Sequence, residues 1–326
     1  MKALVTGATG FIGSHLVAAL VQRGTDVRCL VRNTSHLGWV KDFPVEFVVG
    51  DCLEKHSLQP AVEDVDLVFH LAGATAAIKE KTYFEVNGQG TENLVQACIE
   101  NNIRLKKFIY LSSQAAAGPC LSGGKKNESD PCAPVSLYGK SKLLGEELAL
   151  AHAHELPLLI LRPCAVYGPR DKGFFPLFQC LSKNINPCLS DHDQQVSLCH
   201  VEDLVRAIIL AVEAHTESGE IFFVSDGSDY RMEEIGDIFA QAMKIRALKL
   251  RLPQSMLFAM AIFAEFFARV TGKPSLLNRG KIKEMRCKNW LCDIAKARAL
   301  LGFEPKVSLA RGAEITAAWY KKEDWL

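Results

Sequence analysis

The chain has 326 residues, 48% of them hydrophobic, with 38 Lys and Arg against 37 Asp and Glu. A formal charge of +1 without a long block of like charge leaves no electrostatic case for a nucleic-acid partner, and the length suits one α/β unit with a smaller lobe. The eleven cysteines form no Cys-x-x-Cys pair, and Cys29, Cys98 and Cys164 lie in apolar runs, so reduced thiols, a cytoplasmic setting and no metal site are expected.

The N-terminus opens with a short β-type run, Ala3–Thr6, which leaves no room for a leader peptide before it. A turn follows with glycines at Gly7, Gly10 and Gly13, and then a helical pattern through Phe11, Ile12, Leu16 and Leu20. Gly7 permits the tight turn, Gly10 lets the backbone approach a pyrophosphate, and Gly13 lets the helix pack close on the strand. The helix start then offers unpaired N–H groups and positive dipole to phosphates, so the segment predicts a dinucleotide site with Gly-x-x-Gly-x-x-Gly spacing. The second strand, Val27–Val31, ends at Arg32 where a carboxylate would accept from the adenosine ribose. A guanidinium instead offers a fork to a 2′-phosphate, which favours NADP over NAD; stacking on adenine or exposure to solvent is the alternative.

Further strands are predicted at Glu46–Val49, Leu67–Leu71, Lys107–Ser112 and Leu158–Arg162, with helices between them, including Phe84–Asn101 and Tyr138–His154. This alternation predicts a parallel sheet covered on both faces, with ligands outside the carboxyl ends of its strands. Gly7, Arg32, Asp51, Ala72, Ser113 and Pro163 all fall on that edge. On the helix after the fifth strand, Tyr138 and Lys142 are four apart and share a face. A cation beside a phenol stabilises the phenolate and lowers its pKa, and the hydroxyl of Ser113 can hold the oxygen that gains or loses the proton. The trio suits proton transfer to or from an alcohol or ketone while a hydride moves on carbon.

After Pro169 the pattern breaks: residues 171–196 read as irregular, then Val201–Glu213 as helix and Ile221–Val224 as strand. Residues 252–270 are unusually apolar, with Glu265 the only polar residue from Met256 to Phe267. The run is too short and interrupted for a confident membrane span. It reads either as a buried helix or as one that covers a greasy substrate or dips into a membrane surface.

The motifs Thr6-Gly-Ala-Thr-Gly-Phe-Ile-Gly13, Gly50-Asp51, His70-Leu-Ala-Gly73, Asn87 with Gly90-Thr91, Leu111-Ser-Ser113, Tyr138-Gly-Lys-Ser-Lys142, Leu161-Arg-Pro163, Tyr167-Gly-Pro169 and His200-Val-Glu-Asp203 stand in one order along the chain. In this the sequence resembles the extended short-chain dehydrogenase/reductases, also described as the NAD-dependent epimerase/dehydratase family, over nearly its whole length. The resemblance implies a Rossmann-type doubly wound sheet in a cofactor domain of residues 1–170 plus 200–226, and a discontinuous substrate lobe of 171–199 plus 227–326. It implies that Gly7, Thr9, Gly10, Phe11, Ile12 and Gly13 contact the cofactor. Asp51 would receive the adenine amine, Leu71, Ala72 and Gly73 would floor the cofactor, and Pro163 would border the nicotinamide. Ser113, Tyr138 and Lys142 would be catalytic, with Tyr138 and Lys142 also touching the cofactor and Lys142 reaching its nicotinamide ribose.

The family's dehydratases carry acidic side chains at the two positions after the Ser/Thr; here Gln114 and Ala115 stand there, which argues against dehydration. Its nucleotide-sugar epimerases usually carry a basic residue just before the His-Val-x-Asp stretch, and Gln194–Cys199 supplies none. With residues 252–270 and the ending Asp293–Pro305, the pattern is most similar to the 3β-hydroxysteroid dehydrogenase-like and dihydroflavonol reductase-like branch. The expected activity is an NAD(P)-dependent interconversion of a secondary alcohol and ketone on a hydrophobic, ring-containing substrate. A nucleotide-sugar 4-epimerase and a non-catalytic NADP-binding protein are the alternatives. A peripheral membrane contact through 252–270 and a homodimer are left open.

Overall fold

The computed structural model describes residues 1–120, 123–189, 194–275 and 277–326. Its centre is a seven-stranded sheet: β1 (Lys2–Thr6), β2 (Asp26–Val31), β3 (Glu46–Val49), β4 (Leu67–His70), β5 (Lys107–Leu111), β6 (Leu158–Pro163) and β7 (Glu220–Val224). The spatial order is β7-β6-β5-β4-β1-β2-β3, and every pairing is parallel. Parallel strands need crossovers over the sheet faces, so both faces are covered and the inner strands are apolar throughout. Every residue of β4 and of β6 is buried. Successive side chains point to opposite faces: Ala3, Val5, Cys29 and Val31 enter one core, while Leu4, Leu30, Val68 and Ile160 enter the other.

Helices α1 (Phe11–Gln22), α2 (Gly90–Asn101), α3 (Leu137–Leu150), α4 (Phe175–Ser182), α5 (Val201–Glu213), α6 (Met232–Ala242), α7 (Gln254–Thr271), α8 (Arg279–Met285) and α9 (Leu309–Lys322) surround or extend this sheet. α1 and α5 seal the first core with Leu16, Val17, Leu204 and Ile208; α2 and α3 seal the second with Leu94, Val95, Cys98 and Ala149. A third core, away from the sheet, joins Phe178, Phe239 and Tyr320 from α4, α6 and α9 to Tyr167. Asp203 at the start of α5 accepts from the backbone N–H groups of Lys306 and Val307, which ties the C-terminal segment to the sheet domain.

The predicted strands lie within a residue of those observed, and the 84–101 helix is real but broken. Glu80–Phe84 is α-helical, Glu85–Gln89 is a π turn, and α2 begins only at Gly90. The wide turn fits the work of Asn87, whose amide leaves the helix to bond the loop after β4, as described below. Two expectations change. Residues 171–196 are not irregular: they hold α4, started by Pro176 in its first turn, and the strands Ile185–Leu189 and Gln195–Val196. The 252–270 run is not a buried helix, because the Phe263, Phe266 and Phe267 side chains of α7 are all exposed. Residues 190–193 lie outside the described residues.

One buried ion pair fixes α3 against the sheet. Arg162 of β6 donates through Nε and Nη2 to both carboxylate oxygens of Glu146 on α3, at 2.9 and 2.6 Å, and both side chains are buried. Ser112 at the end of β5 donates to the same carboxylate at 2.5 Å. Arg162→Met would strand the Glu146 carboxylate in the core at a cost of about 3–5 kcal/mol. Urea denaturation should show that loss, and Arg162→Met combined with Glu146→Leu should recover most of it, because an apolar pair leaves no bare charge.

Candidate functional site

The turn between β1 and α1 is shaped for close approach. Gly7 adopts φ +69, and a Cβ there would sit 2.7 Å from the Ala72 nitrogen in the β4 loop. A Cβ on Gly13 would fall on the Gly7 carbonyl oxygen. Gly10 is the N-cap of α1 with no side-chain cap, and the first turn holds no acidic residue, so its N–H groups and the helix dipole are available to an anion. A cradle with no room for a side chain and donors facing out fits the pyrophosphate of a dinucleotide.

The floor beside it is pinned by neutral hydrogen bonds. Thr6 Oγ1 accepts from the Ala72 N–H at 3.1 Å and pairs with His70 Nδ1 at 2.8 Å. His70 Nε2 meets Thr91 Oγ1 at 3.0 Å, and burial holds this imidazole down at about 3, uncharged. At the far end, Asp51 follows β3 and accepts the Leu53 N–H at 3.0 Å, while its own N–H donates to Ser57 Oγ. Arg32 leaves β2 exposed to solvent, its N–H donating to Ser35 Oγ at 3.0 Å. Leu71 and Ala72 are partly covered, Gly73 is open, and Pro163 is buried at the end of β6. Thr9, Phe11 and Ile12 sit on the loop and first turn with partial exposure.

Ser113, Tyr138 and Lys142 come together at the carboxyl ends of β4 and β5. Ser113 caps the short helix Gln114–Ala117, accepting the Ala115 N–H at 3.1 Å, and a hydrogen bond joins its hydroxyl to the Tyr138 phenol. Ser136 caps α3 by accepting the Gly139 N–H at 3.0 Å, and it donates to Glu284 of α8 at 2.6 Å. Lys142 points back to the sheet: Nζ donates to the Leu111 carbonyl at 2.7 Å and lies 4.3 Å over the Tyr110 ring.

The electrostatics differ from the expectation of a phenol lowered by a neighbouring cation. Burial raises the Tyr138 phenol to about 12, against the lowering effect of the Ser113 bond, and Glu284 adds to the rise. Burial likewise lowers Lys142 to about 7, against the raising effect of Glu146. The cause is shared: a dry corner disfavours phenolate and ammonium alike. The phenol therefore keeps its proton at neutral pH, the form that can donate to a ketone oxygen.

Supporting residues outside the predicted set complete the corner. Asn87 Oδ1 accepts the Ala74 N–H at 2.8 Å, and Nδ2 donates to the Ala74 carbonyl at 3.1 Å and to Ser141 Oγ at 2.9 Å. Asn87 thus clamps the cofactor-floor loop to α3. Glu146 stands one turn after Lys142, a spacing visible in the sequence. Ser136 and Glu284 are joined across 148 positions, which no local pattern announces. Gln114 is buried beside Ser113, and its Nε2 has no partner among the described residues. The described residues hold no cluster of His, Cys, Asp or Glu able to bind a metal.

The profile of the NAD dependent epimerase/dehydratase family matches residues 3–225. A ceramide reductase of Caulobacter vibrioides is 30% identical, the match covering 99% of this chain and 95% of that protein. A UDP-glucose 4-epimerase of Vibrio cholerae is also 30% identical, over 96% of this chain and 94% of that protein. Among solved structures, the UDP-glucuronic acid 4-epimerase of Bacillus cereus in complex with NAD is 27% identical, with a TM-score of 0.79 and 99% of each chain covered. With a parallel sheet, a glycine cradle and a family match over more than two-thirds of its length, the chain belongs to the NAD-dependent epimerase/dehydratase family, the extended short-chain dehydrogenase/reductases.

Proposed function

We propose that this chain is an NADP-preferring reductase or dehydrogenase that interconverts a ketone and a secondary alcohol on a hydrophobic, ring-containing substrate, with Ser113, Tyr138 and Lys142 as its catalytic residues. Residues 1–170 plus 200–226 would hold the cofactor and residues 171–199 plus 227–326 the substrate. The nicotinamide, when bound, supplies or takes the hydride. In the reductive direction, Ser113 holds the carbonyl oxygen and Tyr138 gives it a proton; in the oxidative direction, the phenolate takes that proton back. Lys142 orients the corner through Leu111 and, when charged, favours the phenolate. Gly7–Gly13, Asp51, Leu71–Gly73 and Pro163 hold the dinucleotide, and Arg32 meets the 2′-phosphate.

The observation that carries this reading is the Ser113–Tyr138 hydrogen bond beside the buried Lys142, with the exposed apolar helix α7 linked to that corner through α8 by the Glu265–Arg279 and Ser136–Glu284 bonds. The carboxylates on those two helices, Glu265 and Glu284, are already bridged to Arg279 and Lys281. Glu284, hydrogen-bonded to Ser136 at the N-cap of α3, sets a carboxylate rather than a cation beside the corner, which disfavours a diphosphate at that point. A nucleotide-sugar 4-epimerase is the second reading, supported by the Vibrio cholerae and Bacillus cereus relatives. The nucleotide that co-purifies separates them: NADP that exchanges on dialysis supports the reductase, and tightly retained NAD the epimerase.

Tyr138→Phe should fold and bind cofactor normally yet lose roughly 10²–10⁴-fold in turnover; near-normal turnover would remove Tyr138 from the mechanism. Because burial raises the phenol to about 12, kcat/KM for ketone reduction should hold through neutral pH and fall only on the alkaline side. Alcohol oxidation, which needs the proton off, should climb with pH. Arg32→Asp should turn the kcat/KM ratio from NADP toward NAD, since it swaps a phosphate partner for a repulsive ribose acceptor; an unchanged ratio would assign Arg32 no part in cofactor choice.

A further inference from the structure

α7 is buried only along a narrow seam. Ala261 and Ala268 face inward, and Glu265 on the same side receives both the backbone N–H and the Nε of Arg279 from α8, at 2.7 and 2.8 Å. Leu257 sits half-buried beside them, and the other large apolar side chains of the helix face out. Phe263 is 66% exposed, Phe266 and Phe267 60% and Val270 67%, and Met256, Met260 and Ile262 are exposed beside them. At 100° per residue these positions cover an arc of roughly 160°, wider than the stripe a packed surface helix buries. The neighbouring strand Leu248–Leu252 adds Leu248 and Leu250, also exposed. Contiguous apolar surface of this extent marks a contact face.

Charge decides what it contacts. Residues 244–288 hold 11 of the chain's 38 Lys and Arg and only 2 of its 37 Asp and Glu, so this segment carries +9 and the remainder −8. The near-neutral total conceals a strongly basic apolar face on an acidic body. Arg251, Arg269, Lys273, Lys283, Arg286 and Lys288 are all exposed around the helix. Two copies meeting face to face would set one basic rim against another, whereas an anionic surface would complement it. An open groove of about 270 Å³ between α7 and α8, lined by Ser255, Phe258, Ile282 and Arg286, sets a guanidinium at the rim of the apolar face. That is where a headgroup phosphate would sit.

We infer that α7 is a docking helix for an anionic lipid bilayer, lying in the plane of the interface with its phenylalanines among the acyl chains and the flanking basic residues among the headgroups. It does not cross: its 18 residues span about 27 Å, short of the hydrocarbon core, and among the described residues no helix is long and apolar enough to span. In-plane burial of one apolar face with basic flanks is the geometry of interfacial helices. The docking face is one link from the proposed catalytic helix, since α8 holds Glu265 on one side and Ser136 at the N-cap of α3 on the other.

Vesicle co-sedimentation of the full chain tests this. Mixed phosphatidylglycerol and phosphatidylcholine vesicles should bind about tenfold or more tightly than phosphatidylcholine alone, and added salt should erode the difference. The triple variant Phe263→Ser, Phe266→Ser and Phe267→Ser should lose vesicle binding while keeping its melting temperature and NADP affinity. Arg269→Glu with Lys273→Glu should lose the anionic preference without changing the melt. Equal failure to bind either vesicle would overturn the inference. So would a concentration-dependent dimer in sedimentation velocity that the triple variant abolishes, since the occupant would then be a second copy. Collapse of the triple variant's melting transition would also overturn it, because it would put the three phenylalanines in a core.

Discussion

The corner where α3 meets the ends of β4 and β5 is largely screened from water, with Lys142 buried and Tyr138 and Ser113 partly covered, and the proposed chemistry depends on that screening. Tyr138 and Lys142 lie one turn apart on a helix that the Arg162–Glu146 pair holds against the sheet. Dehydration pushes the phenol up and the ammonium down, so at neutral pH the corner carries its proton on the phenol rather than a separated ion pair. Glu146 works against this on the lysine side, and the Ser113 bond works against it on the phenol side. The balance is thereby within reach of any group that enters with charge of its own. The scaffold matters as much as the trio: Asn87 fixes the loop under the site, Ser112 and Arg162 fix Glu146, and Ser136 fixes the first turn of α3.

Much of this architecture can be read from the residues. Strands of four to six apolar residues between helical periods announce a parallel sheet, and β1 to β7 follow that pattern closely. The glycine turn is equally legible, because Gly7 and Gly13 occupy positions where a Cβ would strike backbone. Ser113, Tyr138 and Lys142 meet because two of them share a helix face and the third ends the adjacent strand. Less legible is whatever depends on distance. The Ser136–Glu284 bond and the Asn87 clamp join segments far apart in sequence, and the sign of the phenol shift follows from how dry the corner is, which spacing does not report. Residues 171–196 read as irregular, yet Pro176 stands in the first turn of α4, a position where proline starts a helix.

The helix at 254–271 shows a different limit. Its residues are apolar nearly all round, which in a sequence looks the same whether the surroundings are core, lipid or another chain. Only the fold shows that the outer face has no neighbour among the described residues and that the seam beneath is narrow. A basic segment on an acidic remainder gives the molecule an orientation that its total charge of +1 hides. A bilayer-docked α7 would bring the mouth of the corner toward the phase in which a hydrophobic ketone is dissolved. Surface placement and proposed substrate class thus agree, and both draw on the apolar residues of α7.

The proposed function requires a net hydride transfer between an exchangeable nicotinamide and the carbinol carbon of a hydrophobic substrate. The most direct measurement uses NADPH deuterated on the transferring face of the nicotinamide, a panel of lipophilic cyclic ketones, and mass spectrometry of the products. A reductase of this kind yields an alcohol carrying one deuterium on its carbinol carbon, with stoichiometric NADP released. No label in any product, together with inversion of a UDP-hexose at its C4 by enzyme that never releases its cofactor, would contradict that function.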